Sequence, residues 1–254
     1  MFDIEALDTL LQNLNSSSNE NTMAIISNSR YNKYNRKLTN VLLTRLCVYS
    51  LFMSRYNGFT SSPSSPSSSL SLVASPYVVI VDAGNSLDFY QFVEFIRQYG
   101  LDIKETLQRI VISRAFTVYQ LTNLIVNELP NIIRQFDTCV TIVPDLLHMF
   151  THDPSIDRKE ATYLIREIVS AIRKIAISSS RTRCVVSWNY DHQSSFPYSK
   201  VLPKFDKCIE VASVKGEQSL STVSLRIYNG RSSEHRSNAH CLLHSRDLYL
   251  VPQR

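Results

Sequence analysis

Ser27-Asn28-Ser29-Arg30-Tyr31-Asn32-Lys33-Tyr34 stands between a short apolar run, Thr22-Met23-Ala24-Ile25-Ile26, and a long segment with apolar residues at helical spacing. Strand, turn and helix in that order are the setting of a nucleotide-binding loop. The phosphate-binding pattern G-x-x-x-x-G-K-[ST] would put its glycines on Ser27 and Asn32, its lysine on Lys33 and its metal-binding hydroxyl on Tyr34. Only the lysine remains. The glycines matter because backbone N–H groups must curl around a phosphate at φ values and distances that a Cβ obstructs. A plain strand-to-helix connection accounts for the same residues. Lys33 is then the one residual nucleotide-binding candidate, read as a relic, a surface lysine or a remaining phosphate contact.

Other chemistry has less support. His148 and His152 lie four apart with no further ligand near them in sequence, so no metal site is expected. His235, His240 and His244 fall in a polar segment expected to face solvent, and no serine–histidine–acid or cysteine–histidine arrangement has a local signature. Cys47, Cys139, Cys184, Cys208 and Cys241 are odd in number, widely spaced and set in apolar runs. They read as reduced core thiols, which points to a cytoplasmic protein.

The elements that would position these residues follow from the periodicity. With 254 residues, 44% hydrophobic and 19% charged, the chain can bury one substantial core. Its five glycines, against a usual share of about 7%, leave little material for a glycine-rich phosphate cradle. A net charge of +5 permits an acidic partner, but the excess is not gathered into one block. No run reaches the roughly 18 to 20 apolar residues of a membrane span, and the acidic start Met1-Phe2-Asp3-Ile4-Glu5 is unlike a signal peptide, so no membrane partner is expected.

Amphipathic helices are expected over 2–14, 38–53, 88–99, 103–108, 117–136 and 155–177, with Pro130 kinking the fifth or opening a second piece. Gly100-Leu101-Asp102 reads as a helix stop and restart. In the last helix Ala161, Leu164, Ile165, Ile168, Ile172 and Ile175 face inward, and Arg158, Lys159, Arg166, Arg173 and Lys174 form a solvated basic face. Strands are expected at 22–26, 77–82, 109–115, 139–143 and 183–188, then at 207–214, 222–229 and 247–251 with no helices between. Regular alternation followed by a β-rich tail gives an α/β fold, three-layered and mostly parallel, with an antiparallel C-terminal extension. Residues 1–254 read as one domain, interrupted by a flexible serine- and proline-rich surface loop at 60–75.

This order of pieces resembles the ATPase core of RecA-fold recombinases of the P-loop NTPase type, in particular the archaeal RadA type and its paralogues, over nearly the full length. Ala6-Leu7-Asp8-Thr9-Leu10-Leu11 is similar to the family's leucine-aspartate-x-leucine-leucine segment, with Gln12-Asn13 in place of the glycines that normally follow. Tyr99-Gly100-Leu101-Asp102, continued by Leu107, Ile110 and Arg114-Ala115-Phe116-Thr117-Val118-Tyr119-Gln120, resembles a more specific family run. Val185-Val186-Ser187-Trp188-Asn189 looks like the last core strand, which usually ends in a threonine-asparagine-glutamine sensor.

The departures are concentrated where the family does chemistry. Beyond the altered loop, Asp82-Ala83-Gly84-Asn85 puts Gly84 where the resemblance implies the water-activating glutamate. Thr141-Ile142-Val143-Pro144-Asp145-Leu146 puts Pro144 at the Walker B aspartate and Asp145 one position late, which strand alternation would turn away from a metal. Four parts of a phosphoryl-transfer site are altered together, so the resemblance implies a non-enzymatic paralogue with no cofactor, ATP being what a residual site would take. The implied single-stranded DNA loops are changed too. The first is Phe150-Thr151-His152-Asp153-Pro154, short and acidic; the second, 190–204, keeps His192, Tyr198, Lys200 and Lys204 for weak stacking and phosphate contact.

Three functions are therefore in competition. The leading expectation is a catalytically inactive accessory or interaction protein in DNA recombination and repair, with a catalytic RadA-type recombinase or related repair protein as partner. The others are a weak ATP-binding protein or ATPase, and a single-stranded DNA-binding module. Composition alone makes one prediction about the 60–75 loop, whose serines and prolines offer little to offset an ordering cost of about 1 to 2 kcal/mol per residue. Deleting most of it is expected to leave the melting temperature nearly unchanged; a large fall would show that it packs.

Overall fold

Among the described residues, eight strands form one sheet. The computed structural model describes residues 21–28, 33–57, 76–83, 87–153, 155–179, 181–190, 204–214, 222–229 and 237–244. The expected helix at 2–14, the loop at 60–75 and the strand at 247–251 lie outside them. The strands are β1 (Thr22–Asn28), β2 (Tyr77–Asp82), β3 (Ile110–Arg114), β4 (Thr138–Val143), β5 (Arg183–Tyr190), β6 (Lys207–Val214), β7 (Thr222–Asn229) and β8 (Ser237–His244). Their spatial order is β3-β2-β4-β5-β1-β6-β7-β8, and the first six, β3 to β6, pair parallel throughout. β7 runs antiparallel to β6, and β8 antiparallel to β7.

Parallel strands need cover on both faces, and their composition supplies it. Along β1, Met23 and Ile25 enter one apolar cluster while Ala24 and Ile26 enter another; β2, β4 and β5 divide their side chains in the same way. The first cluster is completed by α1 (Lys33–Asn57) and α2 (Phe89–Gln98), with α3 (Ile103–Leu107) at its margin. The second is completed by α4 (Val118–Asn123), α5 (Leu129–Gln135) and α7 (Arg158–Ser178), with the short α6 (His148–His152) beside it. The result is three layers, helices on either side of a parallel sheet.

Local chemistry sets the element ends. Asp88, Asp102, Thr117 and Asp157 each cap a helix N-terminus with a side-chain oxygen, Asp157 accepting from both Lys159 and Glu160 N–H. Those two bonds hold the Asp157 carboxyl below its ordinary pKa. After α2, Gly100 takes φ 66°, and its N–H and that of Leu101 return to the Arg97 and Ile96 carbonyls at 3.0 Å each, closing the helix before Asp102 restarts it. Pro130 does open a second piece. It has no N–H to donate, and a π-helical turn, Leu124–Glu128, widens the chain between α4 and α5.

The strand after β7 is a difference from the sequence reading. It is Ser237–His244, which the polar composition disguised, because its place is set by backbone pairing with β7. Among the described residues no helix is long and apolar enough to cross a membrane.

The turn into β6 is tied to β1 by a buried acid. Asp206 Oδ2 accepts from Thr22 N–H at 3.0 Å and Thr22 Oγ1 at 2.8 Å, while Asp206 N–H donates to the Thr22 carbonyl at 3.1 Å. Asp206→Ala removes the acceptor for two buried donors and is expected to cost about 2 to 3 kcal/mol. A urea melt checks this: the midpoint should fall at unchanged slope, and an unchanged midpoint would show that the tie carries no weight.

Candidate functional site

The C-terminal edge of the parallel strands gathers the polar residues that the sequence had left as isolated positions. Alternation puts Ser27, Asp82, Ser187 and Asn189 on the α1 side of the sheet, because their neighbours Ile26, Val81, Val186 and Trp188 fill the opposite cluster. β1 and β5 are paired so that Ser27 lies across from Asn189, and β2 and β3 so that Asp82 lies across from Arg114.

Ser27, wholly buried, donates its hydroxyl to Asn189 Oδ1. Asn189 Nδ2 in turn donates to Asp145 Oδ1 at 3.3 Å. Asp145 N–H is held by Ser187 Oγ at 3.0 Å, and Leu146 N–H by the Ser187 carbonyl at 2.8 Å. On the far side of the acid, His148 Nδ1 stands 3.8 Å from Asp145 Oδ2, with His148 N–H donating to the Asp145 carbonyl at 2.9 Å. One chain of polar contacts thus runs across β1, β5 and the turn after β4. Farther along the edge, Arg114 Nη2 is 3.4 Å from the buried Asp82 carboxylate.

Asp145 corrects the alternation argument. Regular strand structure ends at Val143, so Pro144 and Asp145 belong to a turn, and Asp145 takes φ 49°. In this left-handed conformation, tolerable for aspartate, the carboxylate meets Asn189 of β5. The acid is one position late in sequence yet stands among the residues of the loop edge. It is nonetheless only 5% exposed.

The other candidates are more scattered. Lys33 is the first residue of α1, directly after the altered loop. Gly84, His192, Tyr198 and Lys200 lie outside the described residues; Lys204 is exposed just ahead of β6. Phe150, Thr151 and His152, the start of the expected DNA loop 150–154, lie in α6. His148 pairs with Asp145, and among the described residues no group of three or more histidines, cysteines and acids comes together. Burial pushes the Cys184 and Cys208 thiols up to about 12 and Cys139 up to about 11, and Cys47 is raised as well. These four are protonated at neutral pH and unsuited to nucleophilic work.

The arrangement can hold groups in place more readily than it can move protons. Its serine, amide and acid are linked in series in the interior, where such bonds are strong and their loss costly. The Ser27–Asn189–Asp145 connection was missed in the sequence because it joins residues 162 and 44 positions apart. Its one signal was the alignment of Asn189 with a sensor position.

No family model matches the chain, and no curated protein is significantly similar to it.

If the three side chains act as a unit, their effects will not add. Ser27→Ala and Asn189→Ala are each expected to destabilise the fold by about 1 to 3 kcal/mol. The double variant should fall short of the sum by about 0.5 to 3 kcal/mol in a denaturation cycle. Strict additivity would show that the contact is incidental.

Proposed function

We propose that this chain is a RecA-like, catalytically inactive paralogue that serves as an accessory, interaction protein in DNA recombination and repair. The observation that carries the reading is the Ser27–Asn189–Asp145 chain: the groups standing where phosphate and metal would be handled are bonded to each other within the sheet edge. A hydroxyl at the first glycine position, 0% exposed and turned to Asn189, replaces the bare backbone that a phosphate nest requires. An acid at 5% exposure is poorly presented to a hydrated Mg²⁺.

The RecA-like part is supported by the strands that the resemblance brings into play. The loop strand β1, the last core strand β5 and β4, whose following turn carries Asp145, lie side by side. β7 and β8, which pair antiparallel beyond β6, lend further support. Assignment to recombination and repair rests on the resemblance, since a fold does not determine a function. A catalytic recombinase of the RadA type, or a related repair factor, is the partner this reading implies.

One observation favours the weak ATP-binding alternative: Asp145, Asn189 and Asp82 all keep to the loop side of the sheet. Nucleotide is therefore the discriminating ligand. With Mg-ATP the protein is expected to show no turnover and no rise in melting temperature, whereas a site filled at a hundred times its dissociation constant would add about 2.7 kcal/mol. Mg²⁺-dependent hydrolysis abolished by Lys33→Ala would overturn the reading.

A further inference from the structure

A concavity lies on the other helical layer, away from the polar edge. It is a groove of about 1040 Å³ between α5 and α7, reaching from the π-helical turn to the connection that leads into β5. Its floor is apolar: Val126, Pro130, Ile133, Ala171 and Ile175. Its walls carry four cations, Arg134, Arg166, Lys174 and Arg181, against the two carboxylates Asp137 and Glu167. Glu167 is already engaged by the Tyr163 hydroxyl at 2.7 Å, and Arg134 leans on the Pro130 carbonyl and Asn131 of its own helix. Arg166, Lys174 and Arg181 are exposed, and their side chains make no hydrogen bond or ion pair among the described residues.

We infer that this groove docks an acidic amphipathic helix of a partner protein. The proposal deepens the accessory-protein reading and rests on it. The groove follows α7 from Tyr163 to Ser178, residues recurring three and four apart, which is a length of about 22 Å at 1.5 Å per residue. A long channel walled by two helices accepts a third by ridge-and-groove packing. Strand addition is ruled out there, because the borders are helices whose backbone groups are internally bonded. An apolar floor with a polar, charged rim is the anatomy of a protein interface. Single-stranded nucleic acid fits less well: Tyr163 is the sole aromatic in the lining, and two carboxylates share it. The excess of cations selects acids on the partner's flanks, and the three uncommitted ones have the most to gain.

The test uses a fluorescein-labelled eighteen-residue designed helix with leucines at i, i+3, i+4 and i+7 spacing and glutamates beside them, and a control with lysine for each glutamate. Anisotropy at low salt is expected to show saturable binding of the acidic peptide to the full chain and none of the lysine control. Arg166→Glu with Lys174→Glu, both on the exposed face of α7, should weaken binding at least tenfold, and the melting temperature of this variant reports its folding. Hydrogen exchange on the unmodified protein supplies a second readout: the acidic peptide should protect 124–135 and 163–178 and leave β7 and β8 unchanged. Equal binding of both peptides, absence of binding, or protection elsewhere would overturn the proposal. So would an oligothymidine of the same length that binds more tightly and is lost with the same two substitutions. Failure of the peptide while a recombinase still binds removes the groove and leaves the accessory reading standing; peptide binding together with Mg-ATP turnover does the reverse.

Discussion

A parallel strand cannot leave either face in water, and that constraint governs this molecule. Six strands pair parallel, so two helical layers are required and every inner strand must be apolar on both sides. Val78, Val79, Ile80 and Val81 of β2 are all fully buried, with Val78 and Ile80 turned to α1 and α2 and Val79 and Val81 to the opposite layer. Burial at about 1.5 to 3 kcal/mol per large side chain makes this division the main source of stability. The same constraint pushes polar residues to the strand ends. Ser27, Asp82 and Asn189 stand at the C-terminal edge because the strand interiors have no room for them.

At that edge the polar groups had two options, to face a ligand or to satisfy one another. Ser27, Asn189 and Asp145 have taken the second. Asp145 needs a left-handed backbone to do so, and Ser187 anchors the two N–H groups that hold the turn. The basic face of α7 has followed another course. The side chains of Arg166 and Lys174 stand exposed there while the apolar stripe of the helix is buried in the core.

Periodicity made most of the fold legible. Strands with apolar runs, such as 77–82, and helices with strong stripes, such as α7, were readable because burial dictates their residue types. The caps at Asp88, Asp102 and Asp157, and Gly100 after α2, were readable because each answers a local backbone demand. β8 was not, since its pairing is to β7 and its own composition is mixed. The Asp145 turn was not either: alternation holds only while the chain is a strand, and β4 stops two residues sooner. The groove depends on two helices that are distant in sequence, and neither stripe alone reveals it.

On the proposed reading the fold serves association and not nucleotide chemistry. The most direct measurement is a titration of the labelled full-length protein with the active recombinase from its own cells, alone and on single-stranded DNA, at physiological salt. Saturable binding and a change in filament formation, without added nucleotide turnover, are expected. No binding and no effect on filaments, together with tight binding of the protein itself to single strands, would contradict that reading.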